Sequence, residues 1–193
     1  LEQICGKSIG LSILAAKLHR ETEGLPLFLV EFIQNMIRKG QILTGKRFRF
    51  STPPAKIAEI SFDIPPGIRQ ISREQFNGLA EKERPVVELL SVARHELDID
   101  IILDSIEQDE EVLLDILDQL VHKQIISVRS IGHDPVYALK RKKFGTVVYE
   151  DLDKDKRLQL HKVIAGHLET QGHIGVSSAL QIGEHYRLAH EAG

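Results

Sequence analysis

The sequence predicts a mainly α-helical protein that carries two small antiparallel β elements. Apolar residues recur at helical spacing through most of the 193 residues. Two short segments alternate instead around turn residues, which predicts a small hairpin near residues 41–50 and a two-stranded ribbon near 125–139. Three helical segments precede the ribbon, which is the element order of a winged helix. The helical segments after the ribbon are typical of the start of a repeat array.

The composition excludes several classes of protein. With 42% hydrophobic and 27% charged residues, the chain has the composition of an ordinary globular protein. A single cysteine, Cys5, excludes an internal disulfide framework. No apolar stretch approaches the roughly 18 residues of a membrane span, and the low aromatic content of 5% disfavours a nucleic-acid platform of stacked rings. We therefore expect a cytoplasmic protein with no membrane partner. Because Met36 is the only methionine, we interpret the chain as a piece of a longer one.

The first third of the chain predicts two helices followed by the hairpin. A helical pattern covers residues 11–23 and stops at Gly24. The second helix begins at Pro26, because the first helical position loses least from a missing N–H. Residues 41–43 and 47–50 then flank a turn that contains a central glycine.

Four prolines between residues 51 and 66 mark a linker and the best candidate domain boundary. We divide the chain into a helical part with a hairpin (1–60), a winged-helix part (61–150) and the start of helical, tetratricopeptide-like repeats (151–193). After the linker, the pattern predicts helices over about 67–79, 83–93, 98–106 and 109–122, strands over 125–129 and 136–139, and helices over 141–149, 154–169 and 176–189.

Two segments mimic catalytic motifs but lack the structural context of those motifs. Residues 40–47 nearly spell a phosphate-binding P-loop, yet Arg47 cannot offer a hydroxyl to magnesium and the segment follows a helix. Residues 6–10 match the nucleophile-elbow pattern, but neither a preceding strand nor a hydrolase sheet is evident. We therefore predict a hairpin and an interhelical loop, and no catalytic residue.

Nine histidines raise the question of a metal site. His161 and His167 are six residues apart, and His185 and His190 are five apart. Neither pair shares a helix face in the way that ligands at positions i and i+4 do. We predict surface or half-buried histidines and no metal site.

Acidic residues are concentrated in the second half of the chain, which suggests two surfaces with different partners. Ten acids and no Lys or Arg lie between Glu96 and Asp118. The pattern predicts a solvated acidic face on the helix at 109–122. If the winged helix bound DNA, this helix would enter the major groove, where its acids would repel phosphate. DNA is therefore disfavoured as a partner.

One basic run follows the predicted ribbon. Its side chains are interpreted either as contacts for a phosphate or an acidic partner surface, or as the solvated first turn of a helix. The run consists of Lys140, Arg141, Lys142 and Lys143.

The segment Thr22–Glu31 reads TEGLPLFLVE and resembles the STAND class of AAA-like signal-transduction ATPases. In that family a stretch close to T-E-G-N-P-x-F-L-x-E opens the helical lid subdomain that follows the nucleotide-binding core. These ATPases occur in large bacterial regulators fused to effector modules. The similarity spans nearly the whole chain and continues, in the family's order, at residues 64–69, 117–126, 148–150, 157–161 and 184–193.

The resemblance implies that residues 1–60 form the lid and that Gly24 and Pro26 lie beside the adenine of a bound nucleotide. The Walker A and B elements would lie upstream of Leu1. The chain alone would then be no enzyme and hold no cofactor, whereas its parent would bind ATP or ADP and would be an ATPase. Its partners would be the upstream core and the downstream repeats of the same chain, together with other proteins.

Two positions depart from the family's pattern. Leu25 stands where the family has an asparagine, and Leu139 stands where a histidine often follows the second wing strand. The implied function is a regulatory segment that couples the nucleotide state of the core to the repeats or to an effector. Two alternatives stay open: a DNA-binding winged helix of a transcription factor, supported by the element order, and a nucleotide-independent protein-interaction scaffold, suggested by Leu139.

Overall fold

The structure is a computed structural model that describes residues 9–43, 49–51, 63–106, 108–131, 134–170 and 176–191. Within this part the chain is mainly helical and contains a small three-stranded antiparallel sheet, which confirms the predicted fold class at this level. Two compact units are present, Leu1–Ile71 and Ser72–Gly193. The finer division into lid, winged helix and repeats stays a prediction. Among the described helices, none combines the length and the apolar character that crossing a lipid bilayer demands.

The first unit begins with two helices joined by a left-handed turn. Glu23 and Gly24 have φ angles of 52° and 75°, which end the first helix at the point where the sequence places a glycine. Within each of these two helices the buried apolar residues lie one helical turn apart, so each helix presents a single face to the other. The elements are α1 (Ile9–Thr22), α2 (Pro26–Arg38), and the antiparallel strands β1 (Ile42–Leu43) and β2 (Arg49–Phe50).

The predicted hairpin strands are confirmed, with Ile42 opposite Phe50. Its turn, residues 44–48, lies outside the described residues. The same holds for residues 52–62 of the proline linker and for the first residues of the elbow-like segment at 6–10.

The second unit begins within helix α3 (Pro66–Asn77), which runs across the division after Ile71. Its sheet has the strand order β3-β5-β4 and is antiparallel throughout. The remaining elements are a 3₁₀ turn (Glu81–Glu83), α4 (Arg84–Ala93), β3 (Leu97–Asp98), α5 (Ile99–Ser105), α6 (Glu110–His122), β4 (Ile126–Ile131), β5 (Asp134–Leu139), α7 (Lys142–Asp151), α8 (Lys154–Thr170) and α9 (Val176–Glu191).

The predicted helices and ribbon are confirmed to within a few residues, but one strand was not predicted. Residue 98 was assigned to a helix, whereas Leu97 and Asp98 pair with Tyr137 and Val136 of β5. Asp98 then caps α5, because its carboxylate accepts a hydrogen bond from the Ile101 N–H at 2.9 Å. A capping residue with extended backbone is well placed to end a strand, which explains the correction.

One apolar core unites α4, α5, α6, α7, α8 and the sheet. Helix α6 contributes a stripe of four buried residues, Leu113, Ile116, Leu117 and Leu120. A bidentate ion pair joins α3 to α7, with Arg73 donating to both oxygens of Asp151 at 2.6 and 2.7 Å. The sheet, the end of α4 and the start of α7 enclose the cavity described below.

Candidate functional site: a buried histidine cluster beside a polar cavity

Gly24 and Pro26, predicted from the resemblance, lie at the turn that starts α2. The N–H of Leu25 donates to the carbonyl of Thr22 at 2.9 Å, and Pro26 occupies the first turn of the helix. Near this helix start the side chains of Leu27 and Val30 are exposed, whereas Phe28 between them is buried. An exposed apolar edge of this kind is compatible with a base contact, and the nucleotide role of Gly24 and Pro26 stays a prediction.

The basic run joins the end of β5 to the start of α7, and its role as a phosphate or partner contact stays a prediction. The N–H of Lys140 donates to the Ile125 carbonyl at 2.9 Å, and its ammonium contacts the side-chain oxygen of Gln124. Arg141 is the N-cap of α7 and donates to Gln75 at 3.4 Å. Lys142 and Lys143 follow in the first turn. Cations are disfavoured at the positive end of a helix dipole, so helix propensity does not explain this run.

A cavity of about 640 Å³ opens between the end of α4, the sheet and the start of α7. Leu139 contributes an apolar wall. Gly145 makes this packing feasible, because a Cβ there would lie 2.7 Å from Leu139 Cδ1. The polar side chains around the cavity are Ser91, Arg94, His95, Glu96, Ser127, Lys142 and Thr146.

Arg94 and His95 connect the cavity to the interior of the unit. Arg94 ends α4 in the left-handed conformation, with φ of 59°, and its guanidinium carbon lies 4.3 Å from the centre of the Tyr149 ring. Nδ1 of His95 lies 2.8 Å from the Glu96 carbonyl, which can only accept, so Nδ1 carries the proton. In the neutral ring Nε2 is then an acceptor, and this buried atom has no hydrogen-bond partner among the described residues.

His161 of α8 and His185 of α9 form a buried pair. His161 is 1% exposed and His185 is 5% exposed, and their Nδ1 atoms are 2.7 Å apart. One Nδ1 must therefore donate its proton and the other must accept it. The Tyr149 hydroxyl lies 3.2 Å from Nε2 of His161, and the ring of His95 meets that of His185 edge-on at 5.8 Å.

Burial lowers the pKa of both paired histidines to about 4. For His161 the second cause is the positive charge of Arg94, and for His185 it is His161 itself. Glu184 acts in the opposite direction on both rings. The two rings are accordingly neutral at pH 7, and a neutral pair can share one proton between its Nδ1 atoms.

The expectation of surface or half-buried histidines was wrong for His161 and His185. Spacing along one helix cannot identify a pair that forms between two helices 24 residues apart. A weaker signal was present, because His161 shares a helix face with the buried residues Ile164 and Ala165, and His185 shares one with Ala189.

The cluster is suited to holding helices together and to exchanging protons. In the described part of the chain, no group of three or more His, Cys, Asp or Glu side chains is arranged to hold a metal ion. No protein-family model, curated protein or solved structure matches this chain. Function is therefore inferred from the chain's own residues and their geometry.

Proposed function

We propose that this chain is a regulatory segment of a multidomain STAND-type signal-transduction ATPase. It passes the nucleotide state of an upstream core to downstream helical repeats or to an effector. The observation that carries the proposal is the continuity of polar contacts inside the second unit. Arg94 and His95, in the cavity wall, contact Tyr149 and His185, and these in turn contact His161.

This continuity gives a physical route for coupling. A change at the cavity wall that moves Arg94 or His95 alters the ring contacts made by Tyr149 and His185. Buried contacts of this kind have discrete arrangements, because a close-packed interior does not deform continuously. A movement of Arg94 or His95 at the cavity wall is thereby converted into a movement of α9, the last helix described.

The ordered motif series supports the nucleotide part of the proposal. In the family it resembles, the Gly-x-Pro element meets the adenine, and the corresponding residues here are Gly24 and Pro26. Pro26 begins α2 beside the exposed side chain of Leu27, so exposed apolar surface is available at the helix start. The chemistry of ATP hydrolysis would belong to the upstream core, and the chain alone is expected to show no ATPase activity.

The Pro26→Ala substitution tests this function in the protein that joins the chain to a P-loop core. Loss of the adenine contact is expected to weaken ADP binding by about tenfold, or about 1.4 kcal/mol, measured by titration calorimetry. Pro85→Ala is the matched control, because Pro85 also lies in the first turn of a helix, α4 of the second unit.

The control is expected to leave the affinity for ADP unchanged. Unchanged ADP affinity in Pro26→Ala would favour the nucleotide-independent scaffold instead. Appreciable ATP hydrolysis by the isolated chain would also contradict the proposal, since it would require a catalytic site that the near-motifs at 6–10 and 40–47 do not provide.

A further inference from the structure

We infer that the contact between His161 and His185 is a proton-controlled latch, which holds α9 against α8 while both rings are neutral and releases it when they are protonated. The latch is a property of the second unit itself. It goes beyond the proposed function, because it requires neither a nucleotide nor an upstream core.

The geometry permits only a neutral pair or a singly protonated one. The two Nδ1 atoms are 2.7 Å apart, so one accepts the proton that the other donates. An imidazolium has N–H groups on both nitrogens and no acceptor. Two protonated rings would place two N–H donors and two positive charges against each other, and the contact could not persist.

The charges around the pair make even the first added proton costly. Arg94 at the end of α4 and Arg157 on α8 both disfavour positive charge on His161, and His95 disfavours it on His185. The Tyr149 hydroxyl on α7 faces Nε2 of His161. The rings are buried, so water does not screen these charges effectively.

The nearby carboxylates offer limited compensation. Glu184 of α9 favours protonation of both rings, but it is exposed and forms an ion pair with Arg187 at 2.6 Å. On α5, Asp104 is directed to His167, at 3.3 Å, six residues along α8 from His161. Glu88 of α4 meets Lys156 at 2.5 Å. Each of these carboxylates already has a cationic or ionisable partner.

The release is expected to affect α9 rather than the whole unit. Helix α8 packs on α4 and α5, and its Ile164 belongs to the apolar core. Helix α9 packs mainly on α8 within the described residues, and His185 and Ala189 are its buried contacts. Losing the His185 contact removes one of these two buried contacts.

The sign of the pH effect follows from the shifted pKa values. Docked rings titrate at about 4, whereas the ordinary value for a histidine is 6.5. Between these pH values the released form binds more protons, so docking weakens as the pH falls. Between about pH 4 and 6.5, each histidine is expected to lower the equilibrium constant for docking α9 on α8 by about tenfold for each unit that the pH falls.

The experiment measures amide hydrogen exchange on the whole 193-residue chain at several pH values between 7.5 and 4.5. Protection factors corrected for intrinsic exchange are compared between α9 and α6. The protection of α9 is expected to fall by about tenfold or more per pH unit below 6.5, with α6 changing far less. In parallel, the ring ¹⁵N resonances of His161 and His185 should titrate together with the loss of protection.

Two variants separate the latch from a general acid effect. His185→Gln retains a donor and an acceptor but cannot be protonated. The loss of α9 protection between pH 6.5 and pH 5 should therefore be at least about tenfold smaller than in the wild-type chain. His122→Gln, at an exposed position on α6, should keep the wild-type profile.

The latch is refuted if α9 and α6 lose protection in parallel, or if His185→Gln keeps the wild-type steepness. If His185→Gln does not fold, the ring titration and exchange of the wild-type chain still decide the matter. Because no nucleotide is present, failure of the latch and failure of the proposed function are separate results.

Discussion

Glu83 illustrates how a single buried residue organises the second unit. Its carboxylate is fully buried, and one oxygen accepts the N–H of Ala80 at 2.8 Å, closing the 3₁₀ turn before α4. Both oxygens also accept from the ammonium of Lys123 at 2.7 Å, just after α6. A buried carboxylate is tolerated only when its oxygens are satisfied in this way. The residue therefore ties the start of α4 to the end of α6.

The substitution Glu83→Gln removes the charge while retaining most of the shape of the side chain. We expect a loss of about 2 kcal/mol in the free energy of unfolding, because hydrogen bonds to a charged group are weakened at a buried site. The measurement is urea unfolding at pH 7, followed by circular dichroism. Glu81→Gln, at an exposed position of the same turn, should change the stability by less than about 0.5 kcal/mol. Equal effects of the two substitutions would show that burial of Glu83 is unimportant.

The residues of the candidate site differ in how far the sequence could predict them. A glycine and a proline that end one helix and begin the next can be recognised from local rules, and Gly24 and Pro26 lie where those rules place them. The pairing of His161 with His185 cannot be recognised in this way. It depends on how α8 and α9 face each other, which no local pattern encodes.

At the scale of elements, α6 shows why the helices could be predicted. Three acids mark the start of this helix, and four core-facing residues at helical spacing define its buried face. The same helix supplies a matched pair of leucines. Leu117 is 1% exposed, whereas Leu114, just outside the buried stripe, is 42% exposed.

Replacing each leucine by alanine tests this assignment of faces. Leu117→Ala leaves a cavity in the apolar core and is expected to lower the free energy of unfolding by about 3 kcal/mol. Leu114→Ala should lower it by less than about 1 kcal/mol, since little apolar area is uncovered. Chemical denaturation of the two variants measures the difference. Similar losses from both would contradict the orientation of α6.

The unpredicted strand β3 marks the limit of local rules at this scale. Two residues are too few to show alternation, and the helical pattern of the next segment extends back to residue 98. Leu97 and Asp98 become a strand only because β5 offers a free edge beside them. Strand formation here is a consequence of pairing between distant segments.

At the scale of the whole molecule, the distribution of charge decides between candidate partners. The net charge is −3, and the exposed side of α6 with its N-cap carries five acids and no Lys or Arg. A duplex would bring its phosphates against this face if the unit bound DNA as a winged helix does. The exposed acids of α6 and its cap are Asp109, Glu110, Glu111, Asp115 and Asp118.

We accordingly expect the whole chain to bind duplex DNA more weakly than about 100 μM, the weak end of ordinary nonspecific affinity. Fluorescence anisotropy with a labelled duplex, at 50 mM and 200 mM salt, is the appropriate measurement. Binding in the micromolar range that weakens with salt would instead support the transcription-factor alternative. A basic protein such as lysozyme serves as the positive control for salt-dependent association.

The sequence by itself determined the helical class, the limits of nearly every element and the acidic face, because these depend on spacing and composition within one segment. Tertiary structure alone decided the third strand, the cavity behind Leu139 and the burial of His161 against His185. Those features arise where segments distant in the sequence meet. Their chemistry follows from burial and from neighbouring charge, and both are properties of the packed chain.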